Sequence, residues 1–150
     1  MKIAIIGSRE YGNRTNIKEF ILTLKKKFGE RLEIVSGGQP KGADGIAKKV
    51  ALEYEMNYKE FAPAHYKYNI HCALPRKFYG AAYSTGHYLI RNDQLAKYSD
   101  MIVAFIPEGV KSNGTKDTLS RAEKYGKKTI VISVSYTHLR AHETREDRVS

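Results

Sequence analysis

Short apolar runs alternate with amphipathic stretches along most of this 150-residue chain. The runs at residues 2–6, 32–35, 58–61, 101–106 and 128–133 have strand length, and 2–6 and 101–106 read as central strands covered on both faces. Between them, Ile17, Phe20, Ile21, Leu24 and Phe28 recur at helical spacing up to Gly29, and Asn16 with Glu19 has the spacing of a capping pair at the helix start. Ile46, Ala47, Val50, Ala51 and Tyr54 mark a second helix starting near Gly42. A third covers about 86–98, with Leu89, Leu95 and Ala96 as core contacts, and a fourth carries Leu119, Ala122 and Tyr125 before Gly126. Five strands alternating with four helices predict an α/β fold, a Rossmann-like doubly wound sheet of about five mainly parallel strands flanked by helices. In such a sheet the loops after Ile6, Val35 and Ile106 come to one end, where ligands bind.

Those three loops hold the candidate chemistry. Residues 36–44 read Ser-Gly-Gly-Gln-Pro-Lys-Gly-Ala-Asp and join a strand to a helix. Glycines there let backbone N–H groups and a positive helix pole converge on an anion, so Ser36, Gly37, Gly38, Lys41 and Gly42 form a candidate phosphate cradle; a tight turn needing glycine for its backbone angles is the competing reading. Asp44 falls in the first turn of the helix, where a carboxylate complements the dipole and would repel a phosphate docked on it, which favours loop bracing or a sugar-hydroxyl contact. Gly7, Ser8 and Arg9 end the first strand, and suit a phosphate or carboxylate unless Arg9 is an ordinary surface residue. A second glycine-containing strand-to-helix junction, at 107–115, brings Lys111, Ser112, Asn113, Gly114 and Thr115 together. Arg91 and Asn92 interrupt the apolar side of the third helix, so they reach the ligand crevice or brace neighbouring loops or a subunit interface.

The pattern disappears at 64–86, which is crowded with Tyr66, Tyr68, Phe78, Tyr79 and Tyr83 among His65, His71, Lys67, Arg76 and Lys77. Such a long connection is either a binding loop whose aromatics stack on nucleobases or a loop anchored by its own rings. His65, His71, Cys72 and His87 fit no standard zinc spacing, so no metal site is expected. Cys72 is the only cysteine, which excludes an internal disulfide.

Composition changes this picture in two ways. The formal charge of +10 favours an acidic partner such as a nucleotide or nucleic acid, although lysine-rich outer helix faces account for part of it. No apolar run approaches a membrane span and no signal peptide is apparent, so a cytoplasmic location without membrane contact is expected. Residues 134–150 lack glycine, proline and a core pattern, and 135–144 resemble translated sequencing-adapter sequence. A domain at 1–133 followed by a non-native or disordered tail at 134–150 is expected.

In their order along the chain, Ile5-Ile6-Gly7-Ser8-Arg9, the 36–44 loop, Arg91-Asn92, Ser99-Asp100 and Ser112-Asn113-Gly114-Thr115 resemble the SLOG superfamily. This Rossmann-like group includes the LOG (lysine-decarboxylase-like) and DNA-processing DprA proteins, and the likeness is to its small single-domain bacterial and phage branch. The resemblance implies a pocket for a nucleotide, an ADP-ribose-like molecule or a cyclic nucleotide, in a bacterial or phage-infected cell, and a homodimer or higher homo-oligomer. LOG enzymes split a nucleoside monophosphate using the glutamate of a Pro-Gly-Gly-x-Gly-Thr-x-x-Glu motif. Gly114-Thr115 align with it, but Thr118 stands at the glutamate position and can neither carry the charge nor act as a base near neutral pH. Binding without hydrolysis, as a sensor or sequestering protein in the manner of a phage counter-defence factor, is therefore expected. Two alternatives remain open: an N-glycosidase (phosphoribohydrolase) using Glu108, Asp44 or Asp117, and DprA-like binding of single-stranded nucleic acid.

Overall fold

A computed structural model describes residues 1–134. Five strands, β1 (Lys2–Gly7), β2 (Glu33–Ser36), β3 (Asn57–Glu60), β4 (Met101–Pro107) and β5 (Lys128–Val134), form one parallel sheet in the order β3-β2-β1-β4-β5. Helices α1 (Arg14–Phe28), α2 (Gly42–Glu53), α3 (Gly86–Tyr98) and α4 (Asn113–Lys124) connect them, with 3₁₀ turns at Gly29–Arg31 and Arg76–Phe78.

The apolar runs become central strands because both of their faces are covered. On β1, Ile3 and Ile5 pack with α1 and α2 through Ile17, Ile21, Ala47 and Val50, while Ala4 and Ile6 pack with α3 and α4 through Leu95, Ala96 and Ala122. Alternation along β4 repeats the division, with Val103 and Phe105 on the first side and Ile102 and Ala104 on the second. Fully burying an isoleucine of this kind contributes about 2–3 kcal/mol, so the two-sided packing of β1 and β4 dominates the core.

The predicted fold class and the positions of the five strands match the structure. The start of α1 does not. Its N-cap is Asn13, whose Oδ1 accepts the backbone N–H of Asn16 at 3.1 Å, and Asn16 instead donates from Nδ2 to the Tyr11 hydroxyl at 2.8 Å. Residues 14–16 are polar, so apolar periodicity starting at Ile17 placed the helix start too late. The expected tail at 134–150 lies, from residue 135 onward, outside the described residues.

The sheet order sets a topological switch point. After β1 the chain moves to β2 and β3 on one side, and after β3 it crosses to β4 and β5 on the other. The order therefore reverses at β1, between its neighbours β2 and β4, and it is at the carboxyl end of such a switch point that open α/β sheets bind ligands.

Candidate functional site at the carboxyl ends of the strands

Arg9 sits at that switch point, two residues past the end of β1. Gly7 ends β1, and Ser8 donates its backbone N–H to the Phe105 carbonyl at 3.2 Å, carrying the β1–β4 ladder one residue further. The Ser8 hydroxyl accepts the N–H of Glu10 at 3.0 Å, so this buried side chain shapes its own turn. Arg9 is exposed and has no ion pair among the described residues.

The 36–44 loop is closed by internal contacts. The Gly37 N–H donates to Asp44 Oδ2 at 3.0 Å, and the Gly38 N–H donates to Ser36 Oγ at 3.3 Å. Arg91 reaches from α3 to donate from Nη1 to the Gly37 carbonyl. Gly37 is thus held between a guanidinium and a carboxylate, and a Cβ there would collide with both. Gly42 has φ of 72°, and a Cβ on it would strike the backbone of Ser8 and Arg9. Ala43 N–H donates to the Ser8 carbonyl at 3.4 Å, which ties the start of α2 to the β1–α1 turn. Lys41 is exposed beside this junction.

Asp44 is buried and takes up the Gly37 amide. Burial pushes its carboxyl up to about 6, opposed by the Arg91 guanidinium and by backbone N–H groups including those of Gly37 and Gly7. The protein therefore supplies a carboxylate of its own to this loop.

The β4–α4 junction is open by comparison. Glu108, Gly109, Lys111, Asn113 and Gly114 are exposed, and a Cβ on Gly114 would meet nothing within 4 Å. Ser112, the N-cap of α4, gives its hydroxyl to Thr115 Oγ1 at 2.6 Å, so no side-chain cap covers the helix start. Thr118 is buried and its hydroxyl donates to the Gly114 carbonyl at 3.1 Å.

Asn92 links Arg91 to α4, its Oδ1 accepting from Arg91 Nε at 3.0 Å. Its Nδ2 donates to Asp117 Oδ2 at 3.1 Å, and Asp117 also accepts from Arg121 Nε at 2.8 Å, which stitches α3 to α4. Of the three acidic candidates, Asp44 is engaged by amides, Asp117 by Asn92 and Arg121, and Glu108 stands on the exposed turn after β4. A shallow groove between α3 and α4, lined by Leu89, Ile90, Asp93, Gln94 and Arg121, contains none of the predicted ligand residues.

Glu60, absent from the candidate residues, is the polar hub beneath the loop. It is 2% exposed, accepts the Tyr58 hydroxyl at 3.0 Å and Asn69 Nδ2 at 2.6 Å, and pairs with Lys48 at 3.1 Å. The Tyr58 hydroxyl in turn lies 2.7 Å from Ser36 Oγ. Burial works to raise the Glu60 carboxyl, but the hydrogen bonds from Asn69 and Lys48 overcome it and hold it below its ordinary value. Strand alternation was the available signal, because residues 58 and 60 share a face on β3.

His65 and His87 meet, with Nδ1 atoms 3.4 Å apart, whereas His71 lies against the Tyr58 ring and Cys72 Sγ accepts the Asn69 N–H. No group of three or more His, Cys, Asp or Glu side chains among the described residues is placed to hold a metal ion. No helix among them is long and apolar enough to cross a membrane.

Residues 34–147 match the family described as "Circularly permutated YpsA SLOG family". The chain belongs to that SLOG family. The matched span starts in β2, so it includes the 36–44 loop, Arg91 and the β4–α4 junction but not Gly7 to Arg9. No curated protein matches the chain. Among solved structures, the SLOG fold seen here is shared with the molybdenum cofactor binding protein of the phototrophic bacterium Rippkaea orientalis, at TM-score 0.65 and 17% identity over 93% of this chain and 80% of that one. It is likewise shared with the molybdenum cofactor carrier protein of Chlamydomonas reinhardtii, at TM-score 0.62 and 15% identity over 93% and 81%. At these identities the likeness concerns the fold.

Proposed function

We propose that this SLOG protein binds a phosphorylated heterocyclic small molecule at the carboxyl ends of β1 and β4 and holds it without hydrolysis, as a carrier, sensor or sequestering protein. The observation that carries this reading is Arg9, an exposed guanidinium without an ion pair among the described residues, set at the topological switch point against the start of α2, while the start of α4, after the adjacent strand β4, has no side-chain cap. A guanidinium and free helix-start amides are what a phosphate recognises. Thr118 in place of the LOG glutamate, with its hydroxyl turned onto the Gly114 carbonyl, supports holding over cleavage.

Two ligand classes suit such a site. A nucleotide or ADP-ribose-like compound is what the superfamily pattern favours. The cofactor named for the similar structures is the other, and the molybdenum cofactor is also a phosphate ester of a fused ring system. The residues present would hold its phosphate and ring as cargo; the metal would keep the ligands that the cofactor itself brings, since no cluster of protein donors converges among the described residues.

Calorimetric titration with AMP, ADP-ribose, a cyclic dinucleotide and a pterin monophosphate tests the reading. At least one should bind, and Arg9→Ala should weaken it about tenfold or more, the loss of a charge-assisted contact, with the folded chain equally stable. Absence of heat and of any thermal shift across the set would sink it. Release of free adenine from AMP, abolished by Glu108→Gln, Asp44→Asn or Asp117→Asn, would replace it with the glycosidase reading.

A further inference from the structure

The aromatic-rich connection between β3 and α3 divides into two clusters with different surroundings. In the outer one Tyr68 and Tyr79 have ring centroids 6.0 Å apart and the Arg76 guanidinium lies 4.7 Å from the Tyr68 ring. This half is fastened to β3, through the Glu60–Asn69 hydrogen bond and a bridge between Glu60 and Cys72. Its rings serve to anchor the loop.

The inner cluster is built differently. His65 is its centre, with Tyr83 at 4.8 Å, Tyr66 at 5.1 Å and Tyr88 at 5.2 Å, all meeting the imidazole at steep angles, and His87 stacked at 5.6 Å. The Tyr88 hydroxyl lies 3.3 Å from His65 Nε2, so the imidazole is fixed at its far edge as well as by His87. Backbone hydrogen bonds from Gly80 to Tyr66 at 3.0 Å and from Ala81 to Ala64 at 3.1 Å clasp the two arms of the connection together. The rings are consequently preorganised, which lowers the entropy cost of receiving a ligand.

This cluster borders Arg91, which braces the 36–44 loop. The Arg91 guanidinium lies 5.6 Å from the Tyr88 ring, and Arg9 and Arg91 both act electrostatically on the Tyr66 phenol. Tyr83 is 67% exposed, although it is held by His65. A fixed aromatic ring left open to solvent, in a cluster whose Tyr88 ring meets a guanidinium, is the arrangement used to stack a planar base.

We infer that His65, Tyr66, Tyr83 and Tyr88 form the seat for the ring system of the ligand, a purine or pterin stacking on Tyr83 while its phosphate pairs with Arg9. This rests on the reading of the crevice as a phosphate site. It adds that ring and phosphate are recognised by separable residues, and that the ligand class is an aromatic phosphate ester in preference to a sugar phosphate.

The test compares AMP and a pterin monophosphate with ribose 5-phosphate, which lacks the ring, by calorimetry on the unmodified chain, Tyr83→Ala, Tyr83→Phe and Arg9→Ala. At least one ring-bearing probe should bind about tenfold or more tightly than ribose 5-phosphate. Tyr83→Ala should erase that advantage and leave ribose 5-phosphate binding unchanged, Tyr83→Phe should retain it, and Arg9→Ala should weaken every probe that binds. Because Tyr83 is largely exposed, its replacement leaves the fold intact, and thermal denaturation checks this. If ribose 5-phosphate binds as well as the ring-bearing probes, or if Tyr83→Ala weakens all of them equally, the stacking seat is wrong while the phosphate site stands. If none binds, both are wrong.

Discussion

The two glycine-bearing junctions between strand and helix, after β2 and after β4, have similar ingredients and opposite states. After β2, the Gly37 and Gly38 amides are bound by Asp44 and Ser36, the Gly37 carbonyl is taken by Arg91, and Gly42 lies tight against Ser8 and Arg9. After β4, the turn is exposed, Gly114 has open space around it and the N-cap hydroxyl is spent on Thr115. Glycine-rich sequence at a helix start thus does not identify a ligand cradle by itself. What matters is whether the chain fills the cradle with its own acceptor. The first junction works as a strut that sets the position of Arg9 and Arg91, and the second keeps its donors available.

Breaking the strut should have the largest effect. Gly42→Ala puts a Cβ into the Ser8 and Arg9 backbone at a φ of 72°, and should destabilise the chain by about 3 kcal/mol or more in denaturant melts. A loss under about 1 kcal/mol would show that the junction is looser than its contacts imply.

The next effect concerns pH. Asp44 is raised from 3.8 to about 6 in the folded chain. A carboxyl raised by folding makes its full contribution to stability below its unfolded value and loses that contribution as pH rises through its folded value. Asp44 should therefore cost the folded chain up to about 3 kcal/mol on going from about pH 4 to about pH 7, from roughly two pH units at about 1.4 kcal/mol each. Asp44→Asn keeps an acceptor for the Gly37 N–H and should remove that part of the pH dependence. Urea melts of both chains at the two pH values give the difference, and an identical slope in both would contradict a buried, ionising Asp44.

The open junction should respond weakly. Ser112→Ala removes a hydroxyl that donates to Thr115 and caps no amide, so melting should show a loss of about 1 kcal/mol or less. Gly114→Ala, with nothing in the way of its Cβ, should be neutral or stabilising by about 0.5–1 kcal/mol through helix propensity. The opposite signs of Gly42→Ala and Gly114→Ala state the comparison in one measurement.

Much of the fold was legible because it depends on local pattern. The apolar runs of β1 and β4 and the spacing of Ile46, Ala47, Val50 and Ala51 carry their own periodicity. The site was legible in part. The sequence placed Gly7 to Arg9, the 36–44 loop and the 107–115 junction at one end of the sheet, and the topology brings these together. It could not say which amides are already bound, since that depends on Arg91 lying across Gly37, a contact between residues 54 apart. Glu60 escaped for the same reason. A carboxylate becomes a buried hub only when Lys48 from α2 and Asn69 from the long connection arrive together. The two-way division of the aromatic stretch likewise depends on which rings meet β3 and which meet α3.

The pairing of β1 with β4 has a consequence for how the chain acquires its site. Ile3 pairs with Met101, about a hundred residues later, and closing so long a loop is entropically slow and rewarded only at the end. β1, β2 and β3 can assemble early, but the 36–44 loop and the β4–α4 junction share one end of a sheet only once β4 has docked beside β1. A growing chain emerging from the ribosome therefore cannot bring its two glycine-bearing junctions to one sheet end until its second half is made.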